Sequence, residues 1–237
     1  MKDTVFIEGG GPPTTELKGE FAGLTEQAFL LQTAFYRLFE QEIPNLKVVF
    51  DIRPSGGYKQ TLFAFVNFLS RFSDVRAYTV LDFQELKRDF GGENAEEHKK
   101  NLLAFADEKI ASGYWPQPRK EWTYYQDVIF FMIQTMEAWI LSQPDIIYNE
   151  FRYLKHRREA WEEKVNTHLS SKVVSQIPSP DSVLGYLLGC FEEEKKGKWK
   201  KVKYSKIQTA SQLLPKLSLK KLMQDFEDVE QLVIKLK

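Results

Sequence analysis

The sequence predicts an α/β fold: a central, mainly parallel sheet of about four strands, flanked by helices, with a helical C-terminal half. Two observations predict it. Short β-branched, apolar runs alternate with segments whose apolar residues recur at helical spacing, in the order strand, helix, strand, helix, strand. In addition, 237 residues with 43% hydrophobic and 28% charged content are enough for one sizeable core and leave no room for two large domains.

The elements follow in order. Thr4–Ile7 is apolar and ends at Glu8-Gly9-Gly10-Gly11-Pro12-Pro13, a first strand and a tight loop. From Glu20 to Glu42 the apolar residues Phe21, Leu24, Ala28, Leu31, Phe35 and Leu38 mark a helix that Pro44 closes. Lys47–Ile52 reads as a second strand, Pro54-Ser55-Gly56-Gly57 as a turn, and Tyr58–Arg71 as a helix with a phenylalanine-rich face. Ala77–Leu81 is a third strand ending at Asp82. Residues 86–126 read as an insertion, an excursion from the sheet holding a helix at Ala95–Ala111. Asp127–Ile133 is a fourth strand passing into a helix with Met136, Glu137 and Trp139. Residues 145–237 form a helical extension: a long charged helix at Asp145–Leu169, one from Pro178-Ser179-Pro180-Asp181 to about Glu194, a basic segment at 195–221, and a last helix at Leu219–Lys237.

Composition removes several function classes. Positive and negative residues balance at 33 each, so global charge does not mark a nucleic-acid binder. Locally, Lys195 to Lys221 holds ten lysines and no acid, directly after Glu192-Glu193-Glu194; it is either a solvated face or a polyanion surface. The lone Cys190 excludes a disulfide framework and a cysteine-rich zinc site. The Met-Lys-Asp-Thr start has no signal-peptide run, and Val128–Leu141, interrupted by Gln134 and Glu137, is too short to span a bilayer. A reducing cytoplasm and no membrane partner are expected.

In open parallel sheets, ligands sit outside the carboxyl ends of the strands. Glu8 and Asp82 fall at two such ends and converge if their strands are neighbours. Hard oxygen ligands suit Mg²⁺ or Mn²⁺, which keep several waters and bind substrate phosphates. Gly9 and Gly10 would let the backbone approach a phosphate, although an acid followed by glycines also serves as plain turn chemistry. Neither a Walker A loop nor a dinucleotide-binding pattern follows.

Five blocks carry a family resemblance. Val5-Phe6-Ile7-Glu8-Gly9-Gly10-Gly11 resembles the opening V-E-G-G-G of a bacterial domain-of-unknown-function family grouped with TOPRIM-like proteins. Gly56-Gly57 resembles its G-G-R turn, with Tyr58 in place of arginine, and Val80-Leu81-Asp82-Phe83-Gln84-Glu85 its L-V-D-S-E-D. The segment from Met132 to Leu141 resembles its M-V-Q-C-M-E-T-W-F-L, and that from Lys196 to Ser205 its K-G-R-Y-x-K-G-K-H-S, with Tyr204 in place of histidine. The blocks occur in order and span nearly the whole chain.

The resemblance implies a TOPRIM-like (Rossmann-like) fold, in which a glutamate after the first strand and an Asp-x-Asp pair after a later one bind Mg²⁺ and work on nucleic-acid phosphodiesters. Carried over, Glu8 and Asp82 are catalytic metal ligands. Gln84 falls where the second acid of the pair belongs, and Glu85 is the candidate third ligand. Glu137 either faces the site, one helical turn from Gln134, or forms an ion pair or cap within the fold. Lys198, Lys201, Lys203 and Lys206, with Trp199 and Tyr204 among them, would bind phosphate and stack on bases.

The resemblance further implies a nuclease associated with an ATPase partner in bacterial antiviral defence or DNA processing. The alternative is a non-catalytic sensor or regulatory subunit on the same fold; a small-molecule phosphohydrolase is a third reading. His98, His156 and His168 read as surface residues, Cys190 as a core cysteine, and Phe63, Phe65 and Phe68 as a core stripe.

Overall fold

The computed structural model describes residues 2–10, 25–82, 89–90, 95–132, 135–169, 174, 177 and 179–237. Strands β1 (Asp3–Ile7), β2 (Phe50–Pro54), β3 (Ala77–Asp82) and β4 (Ile129–Met132) form one all-parallel sheet in the order β2-β1-β3-β4. The chain therefore leaves β1 in one direction to reach β2, then crosses back over β1 to reach β3. Right-handed crossovers place the connecting helices on opposite faces when the direction reverses. They do so here. Helix α1 (Glu26–Phe39) covers one face with Leu31, Ala34, Phe35 and Leu38. After a helical turn, α2 (Leu46–Val49), helix α3 (Tyr58–Arg71) covers the other face with Leu62, Phe65 and Leu69.

Strand alternation feeds both cores. Val5, Ile7, Tyr78, Val80, Phe130 and Met132 point to the α1 side, and Phe6, Leu81, Ile129 and Phe131 to the α3 side. Helix α4 (Ala95–Ala111), read from sequence as an excursion, packs Leu102, Leu103 and Ala106 into the α3-side core together with Trp122 and Tyr125. His98, read as a surface residue, is 1% exposed. The periodicity around it was too charged to show which face it takes. In the stripe on α3, Phe65 and Phe68 are buried, whereas Phe63 is 41% exposed.

The α1-side core is completed by α5 (Met136–Leu141), α6 (Pro144–Phe151), α8 (Pro180–Leu188), α9 (Lys206–Leu213), α10 (Leu219–Asp225) and α11 (Glu227–Leu236), around the fully buried Trp139. The C-terminal half is thus not all helical. The helix expected over 145–169 breaks into α6 and α7 (Arg158–His168), because Lys155-His156 between them pairs as β5 with Phe191 and Glu192. The helix expected to reach Glu194 ends at Leu188, and Phe191–Lys195 (β6) turns back into Lys198–Lys201 (β7). Lys196 and Gly197 both take positive φ, 55° and 71°, which matches a two-residue hairpin turn. Buried Phe191 anchors this second sheet among Tyr148, Phe151, His156 and Trp161. Cys190 is only partly buried beside it.

Both edges of the main sheet are closed by side chains. On β2, the Tyr36 hydroxyl donates to the Phe50 carbonyl at 3.1 Å and accepts the Ile52 N–H at 3.0 Å, and Gln32 Nε2 donates to the Ile52 carbonyl at 2.6 Å. These contacts explain why β2 runs Phe50–Pro54 and not over the β-branched Val48 and Val49, which stay exposed. On β4, the Phe131 N–H donates to Asp228 Oδ2 at 2.9 Å. Burial pushes the Asp228 carboxyl up, against the opposing pull of Lys99.

Burial also pushes the Tyr36 phenol up to about 12. Its folded-state value lies above the ordinary 10, so the native state keeps a proton that the unfolded chain releases. Its contribution is complete below pH ~10 and is lost as pH rises toward ~12. We expect Tyr36→Phe to lower unfolding free energy by about 1–3 kcal/mol at neutral pH and to flatten the decline above pH ~10, read from denaturant midpoints across pH.

Candidate functional site

A crevice forms where neighbouring strands send their connections to opposite faces. In this sheet that point lies between β1 and β3, and the two predicted acids meet there. Glu8 directly follows β1, and its N–H donates to the Val80 carbonyl at 3.0 Å, continuing the strand pairing. Its side chain then reaches β3, where Oε2 accepts the Asp82 N–H at 2.7 Å. Glu8 is 5% exposed and Asp82 3%. Sequence separation of 74 residues between them is closed by one parallel pairing.

Among the described residues, a cation stands beside this pair. Lys206, the first residue of α9, lies with Nζ 3.8 Å from Asp82 Oδ2, and its side chain is 49% exposed. Lys206, which belongs to the basic segment in sequence, thus lies at the acidic rim. Two residues earlier, the Tyr204 hydroxyl donates a hydrogen bond to Glu137 Oε1. Glu137 is in the first turn of α5, 1% exposed, and its Oε2 is buried without a hydrogen-bond partner among the described residues. Burial drives the Tyr204 phenol far above its usual range, and the charges of Glu137, Asp181 and Asp82 push the same way. Tyr204 therefore stays protonated and acts as a donor. The pairing of Glu137 with Tyr204 was missed from sequence.

The glycines have a packing role. Gly9 and Gly56 form an antiparallel bridge, with N···O distances of 2.7 and 2.8 Å, that ties the loop after β1 to the loop after β2. Gly9 has φ +133° and Gly10 φ +80°, and a Cβ on Gly10 would lie 2.9 Å from the Ala28 Cα. Gly57 caps α3, and its N–H donates to Gln60 Oε1 at 2.9 Å. Turn chemistry and helix packing thus account for all four positions.

Lys198, Trp199 and Lys201 are on exposed β7, and Lys203 is in the stretch between it and α9. The acids of β6 are in register with them, Glu192 with Lys201 and Glu193 with Lys200, and Lys155 sits over the Trp199 ring at 4.9 Å. Glu85 and Gln84 lie outside the described residues, as does Gln134. Among the described residues, no group of three or more His, Cys, Asp or Glu side chains is placed to hold a metal ion. None of the described helices is long and apolar enough to cross a membrane.

Comparison with family models, curated proteins and solved structures finds no match for this chain.

Two outcomes test the local account. Gly10→Ala should destabilise by about 1–3 kcal/mol through its left-handed backbone and the clash with α1, seen as a lower denaturation midpoint at unchanged slope. Tyr204→Phe should cost about 1–3 kcal/mol by stripping the donor from a buried carboxylate. Adding Glu137→Met should then cost less than the two single changes summed, a coupling read from a double-mutant cycle.

Proposed function

We propose that this protein is a TOPRIM-like, divalent-metal-dependent hydrolase of nucleic-acid phosphodiesters. The observation that carries the reading is the meeting of Glu8 and Asp82 at the switch point between β1 and β3. Two buried carboxylates concentrate negative charge that a cation relieves. Their number fits Mg²⁺ or Mn²⁺, which dehydrates reluctantly and takes one or two protein carboxylates, the rest of its shell being water and substrate phosphate. Glu85, just beyond Asp82 in the chain, is the candidate for a further ligand.

A bound divalent ion would neutralise charge on the phosphate as the ester bond breaks. The chain's own part is positional. The Asp82 N–H fixes the Glu8 carboxylate, and the two buried acids have little room to turn. Lys206, half-exposed on a flexible stem, is placed to exchange Asp82 for a phosphate oxygen. The Tyr204–Glu137 bond anchors the segment that carries Lys206.

A second reading, a non-catalytic subunit that joins an ATPase partner, is favoured by Gln84 in the second-acid position and by Lys206 already paired with Asp82. It expects no cutting by the protein alone and co-elution with the ATPase.

Incubating the purified chain with plasmid, single-stranded DNA and RNA in Mg²⁺, Mn²⁺ or chelator separates the two. We expect metal-dependent cleavage that falls by at least ~100-fold in Glu8→Gln and Asp82→Asn, with thermal unfolding retained. Glutamine keeps an acceptor for the Asp82 N–H, so its loss of activity would report charge and not folding. Cleavage that survives both substitutions, or none with any metal, would sink the hydrolase reading.

A further inference from the structure

Beyond the acidic rim, α3 and α4 enclose an open groove of about 530 Å³. Its floor is aromatic: Phe63 from α3, Phe105 from α4, and Tyr114 and Trp115 from the loop after α4. Trp115 packs tilted on Phe63 at 6.0 Å and edge-on to Phe105 at 5.5 Å, so the rings brace one another. Phe63 and Tyr114 are nevertheless open to solvent, 41% and 79% exposed, while Phe105 and Trp115 are partly buried. Leaving such rings wet forfeits burial that a protein normally makes use of, at roughly 25 cal/mol per Å².

The polar part of the lining is cationic. Lys59 and Lys109 flank the rings, no acid among the described residues lines the groove, and Lys109 Nζ lies 5.3 Å from the Phe105 centroid and 5.9 Å from that of Tyr114. Lys59 also pairs with Asp89 at 3.6 Å and Lys109 with Glu108 at 3.0 Å, surface contacts that exchange with another anion at little cost. Flat π-faces between two ammonium groups complement a ligand that has both exposed rings and negative charge. A purely apolar peptide would leave the lysines unused. A duplex hides its base faces.

The position is consistent. Lys59 is in the first turn of α3, which starts directly after the Gly56-Gly57 loop, and Gly56 is bridged to Gly9, the neighbour of Glu8. The groove and the acidic crevice therefore share one end of α3.

We infer that this groove binds unstacked bases of a single-stranded nucleic acid, with Lys59 and Lys109 on the backbone phosphates. This deepens the phosphodiester reading by naming the strand type its site receives, and it rests on that reading only for what happens to the strand afterwards.

The test uses the full chain carrying Glu8→Gln, in chelator, titrated with short labelled oligothymidylate and oligouridylate and with a blunt duplex, while anisotropy and tryptophan fluorescence are followed. We expect saturable single-strand binding with quenching of Trp115, weaker duplex binding, and roughly tenfold or greater loss in Tyr114→Ala and Trp115→Leu. Lys109→Gln should lower the salt dependence of binding by about one phosphate contact. Circular dichroism checks folding, and Tyr114→Ala, at an exposed position, keeps the test valid if Trp115→Leu does not fold. Equal affinity for duplex, indifference to Tyr114 and Lys109, or displacement by an apolar peptide and not by the oligonucleotide would overturn the inference. Binding through the groove with no metal-dependent cutting in the unsubstituted protein would leave this inference standing and remove the hydrolase reading; cutting unaffected by the groove variants would do the reverse.

Discussion

The hydrogen bond from the Asp82 N–H to Glu8 Oε2 is the contact on which the rim of this fold depends. It adds a side-chain rung to the β1–β3 pairing just past the point where backbone pairing stops. Without it, the buried Glu8 carboxylate would lose a donor that offsets its desolvation. With it, one carboxylate is oriented by a fixed dipole. The topology makes such a contact available: β1 lies between β2 and β3, and the helix leading from β1 to β2 and the helix leading from β2 to β3 cover opposite faces.

Around that contact, charge is balanced locally and not globally. The chain is neutral overall, yet its acids and lysines are arranged in opposed sets. Lys206 and Tyr204, from one short segment, meet Asp82 and Glu137, from two different elements. On the hairpin, the acids of β6 lie against the lysines of β7. Reading lysine density along the sequence merges these two situations, because cross-strand neighbours are invisible in one dimension. The lysines of β7 also have an ordinary purpose, since charged side chains on a terminal strand discourage unwanted pairing.

Much of the main sheet was legible because each strand is a short apolar run ended by turn residues. Tyr58–Arg71 and Ala95–Ala111 form helices with the expected bounds, the first set by its amphipathic face and the second by a long uninterrupted run without proline or glycine. Legibility failed where tertiary contact overrode local preference. Val48 and Val49 favour a strand, but Tyr36 and Gln32 seat the strand later. Lys155-His156 sits in a helical pattern, but Phe191 draws it into a sheet. At the site, Glu8 and Asp82 were readable because strand ends are readable. Glu137 with Tyr204 was not, since no spacing rule links positions 67 residues apart. The aromatic groove was hidden because Phe63 shares its spacing with core phenylalanines, and only packing shows which way it faces.

The capped sheet margins carry a consequence for assembly. A β-sheet recruits a foreign chain most easily by lending it unpaired N–H and carbonyl groups along an outer strand. On the outer sides of β2 and β4, Tyr36, Gln32 and Asp228 already hold groups that such a guest would need. A peptide seeking to extend this sheet would first have to displace them. Addition of a foreign strand to this sheet is thereby disfavoured.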